Sequence, residues 1–189
     1  MKPLALALLL LATPAHAEDS SIFEGVAPRE IGLALHYSHW EGPYSSQGAG
    51  GRFRWEPLPW LGVEGTLEVL FTDADGARRI DIPLGSRLMA FWEPTSGFRV
   101  HGALGLCAMF SISDGGTTTT ASSDDILLGF RLGGGVELDL GGPFSVFLDG
   151  GWQRYLGHTR KMSVWSDALE GELVPVDQIA VALGVLLWL

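Results

Sequence analysis

Apolar residues recur at every second position along most of this chain. Ile31, Leu33, Leu35 and Tyr37 alternate with Gly32, Ala34, His36 and Ser38; Leu61, Val63, Leu67, Val69 and Phe71 alternate with Gly62, Glu64, Thr66, Glu68 and Leu70. The same period runs through 98–110, 128–138, 144–152 and 179–189, with shorter stretches at 51–55 and 80–92. A period of two sends successive side chains to opposite faces of an extended strand, so the pattern predicts eight strands. Short connections rich in Pro and Gly fall at 56–59, 93–97 and 141–143, and longer polar ones at 41–49, 72–78, 111–125 and 157–175. Three short turns and four long loops leave both termini on the short-turn side.

The two faces differ in a way that decides what kind of β-protein this is. Large aliphatic residues share one parity. The other parity mixes Gly and Ala with Arg52, Arg54, Arg79, Arg87, Arg99 and Arg131, and with Glu64, Glu68, Asp81, Glu137, Asp139 and Asp149. Six cations against six anions is the balance a closed, salt-bridged lumen requires, because an unpaired charge there is costly. Aromatic residues sort to the strand ends of the apolar parity: Trp55, Trp92, Phe98 and Phe144 beside the short turns, Tyr37, Phe71 and Phe110 beside the long loops. Two aromatic girdles around an aliphatic band are what membrane–water interfaces select. The expected fold class is all-β, an eight-stranded antiparallel up-and-down transmembrane β-barrel over residues 29–189.

The N-terminus adds an export expectation. Lys2, an apolar run over 4–12 and Ala15-His16-Ala17 read as a cleaved signal peptide over 1–17, followed by a periplasmic arm over 18–28. The apolar run is too short to cross about 30 Å of hydrocarbon. The leader holds one of the 12 Lys and Arg and none of the 22 Asp and Glu, which leaves a mature formal charge of −11. That acidity argues against nucleic acid as a partner. Cys107 is the only cysteine, so no intramolecular disulfide staples the domain.

On this patterning the chain resembles the small outer-membrane barrels of the OmpA, OmpX and OmpW type. The resemblance implies an outer-membrane location and contact with outer-membrane lipid and lipopolysaccharide. It also implies recognition by the assembly machinery through the terminal stretch 178–189, beginning at Gln178. That stretch ends Trp188-Leu189, where the usual last residue is Phe. The expected role is structural or surface-interacting: a filled interior, with four extracellular loops open to an external ligand. Two alternatives are a narrow passive channel for small or hydrophobic solutes and a lipid A-modifying enzyme. The enzyme would need a Ser, a His and an acid at the rim. His36 and Ser38, with Glu41 nearby, are the candidates, yet their parity faces the lumen. Neither a catalytic set nor a cofactor is expected. A metal site from His36, His39 and His158 is not expected either, since the first two stand three apart and point to opposite faces.

Overall fold

Alternating short-range pattern becomes structure through one closed sheet. The computed structural model describes residues 31–42, 45–74, 77–114, 125–158 and 173–189. The expected leader and arm lie outside these residues, as do most of the two longest connections. Eight strands follow in chain order: β1 (Ile31–Glu41), β2 (Ser46–Leu58), β3 (Leu61–Ala74), β4 (Ala77–Thr95), β5 (Phe98–Asp114), β6 (Asp125–Asp139), β7 (Phe144–His158) and β8 (Leu173–Trp188). Each pairs antiparallel with its sequence neighbour, and β8 closes on β1. Closure satisfies the last backbone edge, as a barrel in hydrocarbon requires.

Two of the expected loops are shorter than the hydrophobic pattern implied. Pairing runs from Trp40–Ser46 on β1 and β2, and from Ala74–Ala77 on β3 and β4, so the connections shrink to 42–45 and 75–76. The ladder needs only backbone groups, so strands continue past the apolar band where alternation of hydrophobic side chains has stopped. On the short-turn side, β2 also runs on through Glu56 to Leu58, with a register shift after Trp55.

The register sets the barrel's dimensions. Followed across the strands from Arg154 on β7, the Cα partners are Phe130, Leu106, Ser86, Gly65, Phe53, Leu33 and Leu187, and the path returns to β7 at Phe144. The offset from 154 to 144 is ten residues. Eight strands with that shear tilt by roughly 40° and enclose a backbone radius of about 8 Å, an interior that side chains just fill. Register partners therefore step along the axis by roughly one and a quarter residues per strand.

Outside, the barrel is apolar. Leu35 is 77% exposed, Leu106 71% and Leu183 61%. On β7 the outward side chains stay apolar from Phe144 to Trp152, before Arg154, roughly 20 Å along the axis after allowing for tilt. A continuous apolar belt of that extent has no counterpart on ordinary soluble domains. Among the described residues no helix is long and apolar enough to cross a membrane.

Candidate functional site: the filled interior

The charged parity converges inside the barrel, and its residues meet in layers. Nearest the short turns, Arg99 donates to both Glu56 oxygens at 3.2 and 2.8 Å, and Arg54 Nη1 reaches Glu137 at 2.5 Å. The Arg99 guanidinium stacks 4.1 Å from the Phe91 ring centroid, a cation–π contact strengthened by exclusion of water. One level up, Glu64 accepts from Arg54 Nε at 2.9 Å and from Arg87 Nε at 2.8 Å. Asp149 accepts from Arg87 Nη2 at 2.6 Å and from Arg52 Nη1, and faces His101 Nε2 at 3.1 Å. Arg52 lies over the Phe147 ring. Four arginines and four carboxylates, Glu56, Glu64, Glu137 and Asp149, thus form one connected network.

At the waist the layers change character. Gly50, Gly85, Gly105, Gly133 and Gly151 all face inward and fall at nearly one height on five strands. A Cβ on Gly105 would overlap the Ser86 carbonyl oxygen, and one on Gly50 would stand 2.5 Å from the Leu67 carbonyl oxygen. The bare backbone leaves the waist to long side chains from other levels. Ser38 donates to Glu68 Oε2 at 2.6 Å, His36 Nε2 lies 3.4 Å from Glu68, and Arg131 donates to Thr66 Oγ1 at 3.4 Å. Between these groups and Asp149 lies a chamber of about 20 Å³, enough for a single water-sized molecule.

Above the waist, Trp40, Leu70, Met109, Leu127, Tyr155 and Val176 pack into a buried apolar cluster. Over it, Arg79 grips Asp81 through Nε at 2.8 Å and Nη2 at 2.6 Å, and Ser111 Oγ donates to Asp81 at 2.5 Å.

The structure thus brings Arg52, Arg54, Glu64, Arg87, Arg99, Glu137 and Asp149 together, and places Glu68, Asp81 and Arg131 inside at other levels. Asp139 keeps inward parity and sits half-buried at the short-turn rim, where its Oδ1 accepts from the Gly141 backbone N–H at 2.8 Å and closes the turn that begins there. Glu56 joins the inner acids beside it. Sequence reading assigned Glu56 to a Pro-rich turn; its even parity with Arg52 and Arg54 was the signal that could have found it. On the apolar parity, Tyr37, Trp55, Phe71, Trp92, Phe110 and Phe144 are exposed on the outer face, and Phe98 is half-buried there. Arg154 lies on that face too, in a bidentate pair with Asp177 at 2.8 and 2.7 Å.

The hydrolase candidates do not form a catalytic set. Ser38 gives its proton to Glu68 rather than to His36, and all three are sealed inside. His39 points outward to Glu41 at 2.8 Å. Among the described residues no three His, Cys, Asp or Glu side chains gather as a metal site.

Comparison with solved structures settles the architecture. Neisserial surface protein A matches with a TM-score of 0.61 at 13% identity, covering 84% of this chain and 97% of that one. This chain has the fold of the small eight-stranded outer-membrane barrels. OprG from Pseudomonas aeruginosa matches at 0.53 and 12% identity over 85% and 96% of the two chains, and Ail of Yersinia pestis at 0.51 and 13% over 83% and 95%. No protein-family model matches the chain, and no curated protein matches it in sequence.

Proposed function

We propose that this chain is an outer-membrane protein of structural or surface-interacting role, whose interior is a core rather than a passage. The observation that carries the reading is the cross-lumen network: Arg54 and Arg87 both hold Glu64, and Arg52 and Arg87 both hold Asp149, so side chains from β2, β3, β4 and β7 meet on the axis. Ions crossing such a lumen would have to break several desolvated pairs at once. Function then falls to the outer surface and to the loops on the long-connection side, which in this topology are extracellular. The fold neighbours agree in kind, since one is a surface protein and another an attachment protein. Export through a cleaved leader, and insertion guided by the stretch 178–189, belong to the same reading.

Planar-bilayer recording tests it. The expected result is no reproducible conductance from the purified, heat-modifiable barrel. Steady single-channel steps abolished by Ala103→Trp at the chamber would overturn the filled-core reading and favour a narrow channel.

A further inference from the structure

The apolar belt is level at one end and stepped at the other. Its lowest outward side chains, Trp55, Trp92, Phe98, Phe144 and Leu187 among them, fall within about 6 Å of one height when each is placed by the register. The upper ends do not. On β3 to β6 the outward face stays apolar, save Ser86, up to Phe71, Ile80, Ile112 and Leu128, an axial length of about 25–35 Å. On β7, β8, β1 and β2 it stops at Trp152, Ile179, Tyr37 and Ala49, after about 15–20 Å. Because β8 pairs with β1, these are two contiguous halves of the ring. Their upper edges differ by about 10 Å on average.

What ends the short half is a shelf of paired polar side chains. Arg154 holds Asp177 through two bonds at 2.8 and 2.7 Å, and its guanidinium lies 5.3 Å from the Trp152 ring centroid. Further round the ring, His39 bonds Glu41 at 2.8 Å and Tyr37 donates to Gln47 at 2.8 Å. The side chains of Arg154, Asp177, His39 and Glu41 are between 42% and 61% exposed. A lone arginine escapes hydrocarbon by extending towards water. Here the short Asp177 side chain grips both edges of the guanidinium and keeps it at its own level. The charges are already paired within the shelf, which suits hydrated headgroups better than capture of a separate anion.

An outer-membrane apolar band is about 25 Å tall, taller than one half of this belt and no taller than the other. A flat bilayer resting on the level lower edge would therefore submerge the shelf. Tilting the whole barrel would lift the shelf, yet it would drag the lower Trp and Phe residues off the interface where such rings anchor. Thinning the bilayer beside the short half satisfies both edges at modest cost.

We propose that the β7–β8–β1–β2 half of the barrel is a headgroup-facing surface that draws the outer leaflet inward, so that the bilayer is thinner along the closing seam than beside β3 to β6. The proposal rests on the outer-membrane reading above and adds to it a one-sided shape of the surrounding lipid.

The test places single nitroxide labels on the full-length barrel, in a Cys107→Ala background, in vesicles of palmitoyl-oleoyl phosphatidylcholine. Ile179→Cys on β8 and Ile82→Cys on β4 stand at nearly one height on opposite sides of the ring. Power saturation with a nickel chelate reads how close each label lies to the headgroups. Accessibility at 179 should exceed that at 82 at least threefold, whereas Leu187→Cys and Ala90→Cys, the pair at the lower edge, should agree. Replacing the shelf with His39→Leu, Glu41→Leu, Arg154→Leu and Asp177→Leu together should bring 179 down to the value at 82. Arg154→Leu with Asp177→Leu alone should bring it part of the way. Heat-modifiable migration establishes that each variant is folded. Equal accessibility at 179 and 82 in the wild-type background would overturn the proposal, as would opposite displacements at 187 and 90, the mark of a rigid tilt. Unchanged accessibility at 179 without the shelf would overturn it too. Failure of the wild-type chain to enter the vesicles would instead overturn the outer-membrane reading, and the proposal with it.

Discussion

Glu64 faces three arginines in the lumen, and removing its charge puts the filled-core reading at risk. Its side chain is fully buried, with Arg87 at 2.7 Å, Arg54 at 2.9 Å and Arg52 at 3.6 Å. Glu64→Gln keeps the volume and deletes the charge. Breaking a buried pair by removing one partner costs about 3–5 kcal/mol, because the other charge stays desolvated. Here Arg54 retains Glu137, and Arg52 and Arg87 retain Asp149. The loss should therefore sit at the low end, about 3 kcal/mol, spread over three arginines that each keep at least one carboxylate. The second arm is Glu64→Met with Arg54→Met. Replacing both charges by apolar groups of similar size is often neutral or stabilising, although Glu137 then loses its 2.5 Å partner and keeps Arg99 at 3.7 Å. The double variant should recover more than half of the single variant's loss. The assay is reversible urea unfolding in lipid vesicles, followed by tryptophan emission and by the folded band on unheated gels. A loss below about 1 kcal/mol for Glu64→Gln would match the small worth of solvent-screened pairs. That result would refute the dry network and point to a wet, conducting lumen.

Four further outcomes follow from the geometry. Gly48→Ala should destabilise the barrel by about 1–3 kcal/mol in the same unfolding assay, because its Cβ would overlap the Val69 carbonyl oxygen. Gly65→Ala should be neutral or slightly stabilising, since that position is open and Ala restricts the unfolded chain. Leu183→Arg, on the outer face near mid-belt, should cost about 2–4 kcal/mol, while Leu189→Arg at the strand end should cost at most about 1 kcal/mol; equal costs would argue against a bilayer around the belt. Gly142→Ala should slow or weaken the β6–β7 turn by about 1 kcal/mol, as its φ of 67° lies in the left-handed region; circular-dichroism melting of refolded protein measures it.

Much of the architecture was readable from parity alone. Leu33, Leu67, Leu104 and Leu183 lie outside, and Arg52, Glu64, Arg87 and Asp149 inside, because a strand gives its residues only two directions. The misreadings came where side-chain chemistry and backbone pairing part company. Ser46 to Ala49 read as a loop because they are small and polar, yet the ladder does not depend on hydrophobicity. Asp139 has the inward parity and stands at the rim, since parity carries no information about distance from the rim. Trp40, Tyr155 and Phe147 fill the lumen on the polar parity, which a rule sorting aromatics to the lipid face cannot anticipate.

The sequence by itself determined the strand count, the two faces and the near-equal charges of the inner one, because those follow from local alternation and composition. Partnership was decided only by the tertiary structure. Arg52 meets Asp149 across 97 positions and Arg54 meets Glu137 across 83. Those contacts exist because β8 closes on β1 with an offset of ten residues, which fixes both the tilt and the radius. The same shear aligns five inward glycines into a waist. No local pattern encodes that alignment, since it is set by how far neighbouring strands slide before the ring closes.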